Sequence, residues 1–100
     1  MVMHASFYDR SQGVQTASGA RFNDRNPHTA AHKKYPFGTK LKLVNPANKK
    51  ELVVCINDRG PFKPNRELDL TKAGARRLDF VTDGVAALRV TVIGLERKCT

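Results

Sequence analysis

Polar and apolar residues alternate along Lys40-Leu41-Lys42-Leu43-Val44, the two-residue period of a strand with one buried face and lysines on the other. Asn45-Pro46-Ala47-Asn48 carries a turn signal. The next run, Leu52-Val53-Val54-Cys55-Ile56, is apolar at every position, which predicts a central strand covered on both faces and joined to the first as a hairpin. Val85 to Val92 predicts the last strand, with Leu88, Val90 and Val92 on one face and Gly94 ending it. Ala5-Ser6-Phe7-Tyr8 and Leu68-Asp69-Leu70 predict shorter strands. Thr71 is placed to cap a helix over Lys72 to Leu78. Thr29-Ala30-Ala31-His32 is too short for a helix.

The intervening stretches read as loops. Asp9 to Gly13 is turn-like, and the small residues Thr16-Ala17-Ser18-Gly19 predict a tight loop with close backbone approach. Arg21 to His28 is polar and contains Asn26-Pro27. Pro61 and Pro64 keep the segment after Asp58 irregular. No linker, repeat or low-complexity segment divides the chain. At 100 residues with 40% hydrophobic positions, it is expected to form one domain, residues 1–100, with one core. About six short strands and one short helix suit a small barrel, because closure removes exposed strand edges.

Charge narrows the partners. A net charge of +9 draws the chain to polyanions: nucleic acid, an acidic membrane surface or an anionic cell wall. Aromatic content is 7%, with no Trp and no interleaving of aromatic and basic residues, so nucleic acid ranks last. No long uncharged apolar run exists to form a transmembrane segment. No basic leader runs into an apolar stretch, which predicts a mature fragment whose export signal has been removed. Cys55 and Cys99 are compatible with one disulfide and an oxidising compartment. A bridge pinning the tail to the barrel and a buried free Cys55 with a frayed tail stand as equal alternatives. No CxxC, HExxH or Cys/His cluster has metal-ligand spacing, so no metal and no cofactor are expected. The chain is expected to act as a monomer.

Asp58 stands out as candidate chemistry. It lies where an apolar strand runs into a Gly-Pro loop, and strand parity points it the same way as Leu52, Val54 and Ile56. An apolar surround makes a carboxyl a usable general acid. Taken by itself, Asp58 reads more plainly as a turn aspartate paired with Arg59 or Arg66. His32 would orient that carboxyl or meet substrate, though by itself it reads more plainly as a surface or hydrogen-bonded histidine. Asp69, just before the helix, has a plainer role in backbone hydrogen bonding near the cap. Arg59, Lys33, Lys34, Lys63 and Arg66 would line a basic groove or simply be solvated. Phe37 and Phe62 would cover the core or line the groove, with core the stronger reading.

Taken together, "ASFY", "TASG", "TAAH", "PFGT", "NDRGPF" and "DLT", in that order, resemble the RlpA-like (rare lipoprotein A) family from about residue 5 to about residue 93. The resemblance implies a mainly β fold, a six-stranded double-psi β-barrel with one or two short helices, related to expansin and barwin domains. It implies an exported lytic transglycosylase of the periplasm, outer membrane or cell wall that cuts peptidoglycan glycan strands, preferring strands stripped of peptides. It places Asp58 as catalytic acid/base and His32 as a second active-site residue, with Arg59, Ser18, Phe62 and Asp69 at the substrate.

One departure is visible. Where the family often reads "TASGE" and uses that acid, this chain has Ala20, with Asp24 the next acid that could reach the site instead. A lytic transglycosylase can use the sugar's own C6 hydroxyl as nucleophile, so a single carboxyl can protonate the leaving oxygen and then deprotonate that hydroxyl, unlike the two-carboxylate hydrolases. The alternative is a non-catalytic, expansin-like wall-binding module. Release of anhydro-muropeptides from purified peptidoglycan separates the two.

Overall fold

The computed structural model describes residues 1–8 and 15–99; the turn expected over Asp9 to Gly13 lies outside them. The elements are β1 (Val2–Tyr8), β2 (Thr29–His32), β3 (Thr39–Asn45), β4 (Lys50–Asp58), β5 (Leu68–Thr71), α1 (Lys72–Arg77) and β6 (Val85–Leu95). The strands close into a barrel in the order β1-β5-β2-β4-β3-β6. β1 runs parallel to β5 and β2 parallel to β4, while the other neighbours are antiparallel. Two parallel pairs set among antiparallel ones give the interlocked connectivity expected of a double-psi barrel.

The period-2 reading of β3 holds. Leu41 and Leu43 are fully buried, Lys42 is exposed, and each leucine faces a β4 residue, Val54 or Leu52. With Ile56, Leu68, Leu70, Leu88 and Val90 they fill the barrel interior. Burying each such side chain contributes about 1.5–3 kcal/mol. β4 is less enclosed than its composition suggests. Leu52, Val54 and Ile56 face the core, but Val53 is 38% exposed on the outer face. β6 departs as well: it runs on through Gly94 to Leu95, and Val92, opposite Leu41, is 47% exposed rather than core. Val92 is still in register with Leu41; the β3–β6 ladder shifts only beyond it, where Ile93 is passed over, and the core face of β6 ends at Val90.

Helix α1 starts where its cap residue predicts. Thr71 is extended, its hydroxyl oxygen accepts from the Gly74 N–H at 3.0 Å, and the hydroxyl donates to the Asn26 carbonyl. Asp24 adds a second cap: its Oδ1 accepts the Lys72 N–H at 2.8 Å, and its carbonyl accepts the Ala73 N–H. The acid considered a substitute for the one missing at Ala20 is therefore committed to the helix end, where the free N–H groups favour a carboxylate.

The tail is fastened to the ring. Gly38, with φ 97°, donates to the Ile56 carbonyl and accepts from the Glu96 N–H, and a side chain there would collide with the Glu96 carbonyl. Cys99 is bonded to Cys55 with the Cα atoms 5.7 Å apart, which settles the open alternative in favour of the bridge.

Candidate functional site

Strand register assembles a line of side chains that the sequence keeps far apart. Ser6 on β1 pairs with Asp69 on β5, Asp69 pairs with Ala31 on β2, and Ala31 pairs with Asp58 on β4. Side chains paired across neighbouring strands share a face. Ser6, Asp69, Ala31 and Asp58 thus form one row, and all four line a cleft of about 530 Å³. The methyl group of Ala31 is the smallest side chain that could stand between the two acids, which keeps the floor open.

The parity argument for Asp58 fails, for an identifiable reason. Ile56 pairs with the core residue Ala30, but the next pair along is Ala31 with Asp58, so Asn57 is taken up in a bulge. A bulge re-aims the residues beyond it. Asp58 consequently shares the outer face with Ala31 instead of the core face with Ile56. It is still only 4% exposed, because loops close over it. Oδ1 accepts the N–H of Ala17 and that of Arg59, both at 2.8 Å. Ala17 belongs to the small-residue loop, where Ser18 also donates its N–H to the Asn57 carbonyl. The close backbone approach expected of "TASG" is thus made onto the end of β4, with Ala17 as a site residue that sequence reasoning missed.

Arg59 turns its side chain away from the carboxyl. Its guanidinium lies 4.0 Å from the Phe37 ring centroid and donates to the carbonyls of Tyr35 at 2.8 Å and His32 at 3.3 Å. Phe37 is half-buried against the core, whereas Phe62 is 81% exposed at the cleft, so the core reading held for Phe37 and not for Phe62. Gly60, with φ 126°, makes the corner that puts Phe62 there. Lys63 and Arg66 also line the cleft; Lys33 and Lys34 are exposed and do not.

His32 and Ser18 are not among the cleft-lining residues. His32 pairs with the core residue Leu68, one position past Ala31, and so turns to the other side of β2 from Asp58. Its ring stacks on Tyr35, centroids 4.0 Å apart, and Nδ1 accepts the N–H groups of Lys34 and Tyr35 at 3.0 Å each. These donors place the ring proton on Nε2. The expected closeness of His32 to the Asp58 carboxyl is replaced by a backbone link through Arg59, which donates its N–H to Asp58 and its guanidinium to the His32 carbonyl. The Ser18 hydroxyl is exposed and hydrogen-bonded to Thr16 Oγ1 at 2.9 Å. Ala20, on the same loop, is exposed. Asp69 departs from its plainer cap role: Thr71 and Asp24 do the capping, and Asp69 Oδ1 accepts from the Ser6 hydroxyl at 3.0 Å.

Burial, followed by the Arg59 charge, lowers the pKa of His32 below its ordinary 6.5, with Lys33 and Lys34 adding to the effect and Glu67 opposing it. The native state therefore binds this proton less readily than the unfolded chain. Stability linked to His32 is complete above pH 6.5 and declines as pH falls from there through the lower native value. Side-chain NMR should show His32 titrating below 6.5 as the Nε2–H tautomer; a midpoint at or above 6.5 would contradict this.

Known proteins resemble the chain in sequence and in fold. A family described as "Lytic transglycolase" matches residues 1–90. A Treponema pallidum protein named "Probable endolytic peptidoglycan transglycosylase RlpA" is 49% identical over 88 residues, 87% of this chain and 27% of that protein. "Endolytic peptidoglycan transglycosylase RlpA" of Pasteurella multocida is 42% identical over 95 residues, 94% of this chain and 32% of its own length. The chain thus spans about a third or less of these curated relatives. Among solved structures, the Streptomyces papain inhibitor superposes with a TM-score of 0.70 at 17% identity, covering 91% of this chain and 93% of that one. A Clavibacter michiganensis expansin gives 0.68 at 22%, covering 100% and 53%. These two share the barrel, and at such identity they speak to the fold alone. The relatives carry the kinship itself: by its sequence, the chain belongs to the RlpA-like family of lytic transglycolases.

Proposed function

We propose that the cleft cuts peptidoglycan glycan strands by lytic transglycosylation, with Asp58 as general acid and base. The observation that carries this reading is the Asp58 carboxyl, held by the Ala17 and Arg59 N–H groups on the wall of an open cleft. A carboxyl fixed in this way is positioned for proton transfer. The names of the relatives supply the substrate and the reaction class.

In the reaction, the bond from C1 of one sugar to its leaving oxygen breaks as Asp58 protonates that oxygen. The C6 hydroxyl oxygen of the same sugar bonds to C1, and its proton leaves to a carboxylate, giving a 1,6-anhydro end without water. Phe62 offers an exposed ring for the apolar face of a sugar. Arg59 and Asp69 bind polar groups of the strand, and Ser18 does so from the rim loop. His32 acts on the site indirectly, by holding Arg59 in place. The enzyme works outside the cytoplasm, where its polymer lies and where the disulfide persists. Among the described residues no helix is long and apolar enough to cross a membrane.

Purified peptidoglycan incubated with the protein should release anhydro-muropeptides. Binding without release would favour the expansin-like alternative, which the exposed methyl of Ala20, in place of the family's acid, keeps in view. Part of the binding is electrostatic, since a chain of charge +9 meets an anionic wall. Pull-down on peptidoglycan should weaken several-fold as salt rises from about 0.01 M to 1 M, over which the screening length falls roughly tenfold. Salt-insensitive pull-down, or equally tight binding to DNA, would count against it.

A further inference from the structure

We infer that Asp69 is the second catalytic carboxylate of this cleft, the base that takes the C6 hydroxyl proton while Asp58 protonates the leaving oxygen. The inference rests on the transglycosylase reading and changes its division of labour: two carboxyls share the proton work proposed above for one.

Asp69 and Asp58 face the same cleft from strands separated by β2 alone. Two strand spacings put their Cα atoms roughly 10 Å apart, and the residue between them is alanine. A sugar ring seated over Ala31 would have a carboxyl on either side. The Ser6 hydroxyl donates to Asp69 Oδ1 at 3.0 Å, which fixes the orientation of that carboxyl and keeps Oδ1 an acceptor. Asp58 Oδ1 accepts two N–H donors, which fix that carboxyl on its own side of Ala31. The acid that the family often carries where this chain has Ala20 is not replaced by Asp24, which caps α1. Asp69 supplies a carboxyl from the cleft floor itself.

The proton balance closes. Asp58 gives its proton to the leaving oxygen as the C1–O bond breaks; the C6 oxygen bonds to C1 and its proton passes to Asp69. The pair ends with protonation states exchanged, and solvent resets them. Among the described residues, the other charged groups lining the cleft are Arg59, whose guanidinium turns away to Phe37, and Lys63 and Arg66 from the segment after β4; β1 presents Ser6 and the titratable Tyr8, and β2 presents Ala31.

The test is the pH dependence of kcat and KM on peptide-free glycan strands for the wild type, Asp69→Asn and Ser6→Ala. Wild type should give a bell: the low-pH limb reports loss of the base, the high-pH limb loss of the acid. Asp69→Asn still accepts from Ser6, so it should melt like the wild type. Its kcat should fall about 100-fold or more, its KM should stay nearly constant, and its low-pH limb should disappear. Ser6→Ala retains the base but loses its orienting hydroxyl, so kcat should fall less and the low-pH limb should move without vanishing. Unchanged kcat with both limbs intact in Asp69→Asn overturns the inference, as does a raised KM with kcat preserved, which would make Asp69 a binding group only. Wild type that releases no anhydro ends overturns both the inference and the reading beneath it, so the two failures are told apart.

Discussion

Asp58→Asn should lower the release of anhydro-muropeptides by about 10²–10⁴-fold, the range carried by a positioned general acid or base. Asparagine keeps the shape of the side chain, and its carbonyl oxygen can accept the same Ala17 and Arg59 N–H groups that hold Oδ1. The bulge at Asn57 and the loop contacts over β4 are therefore retained, and what is lost is the transferable proton. Thermal melting should change little, and pull-down of glycan strands should be preserved because the exposed Phe62 and the cations of the cleft are untouched. Binding preserved with turnover lost is the signature of an interaction used in the transition state. A variant that folds and turns over at the wild-type rate would remove Asp58 from the mechanism.

Removing the disulfide should give the largest stability effect. Cys55 and Cys99 are 44 positions apart, and a loop of that size implies about 4 kcal/mol of unfolded-state entropy, with 2–4 kcal/mol the usual measured range. In a chain of this size, about 3 kcal/mol lowers Tm by roughly 15 °C. The Cys55→Ala, Cys99→Ser double variant should show that drop. The bridge lies beside Lys40, Val53 and Glu96, away from the cleft, so activity at room temperature should survive. An unchanged Tm would mean that the Gly38 hydrogen bonds to Ile56 and Glu96 already hold the tail.

Local chemistry was legible in the sequence; register between distant strands was not. The alternation in β3, the hairpin into β4 and the Thr71 cap each depend on a few neighbouring residues, and each formed as read. The small residues of "TASG" announced a close backbone approach, though not its target. Parity misplaced Asp58 because a bulge is set by the partner strand, and β2 lies more than twenty positions upstream. The family resemblance put His32 in the site with Asp58, when one step along β2 from Ala31 turns it to the opposite face. Val92 followed the period of β6 and paired with Leu41, yet lies outside the core. Ser6 carried no signal of its own and became part of the site through its pairing with Asp69. Asp24 looked like a spare acid until the helix it caps was in view.

The ladder that carries the row has a consequence for when the molecule becomes active. Of the strand pairs that carry the row, β1–β5, β5–β2 and β2–β4, none joins strands consecutive in the chain, so no hairpin can assemble even half of it. Such non-local pairing forms late and cooperatively. A chain in which β5 has not yet joined β1 and β2 holds all four residues and no row of them. The cleft proposed to cut glycan thus waits on β5 finding both β1 and β2, and on no local turn.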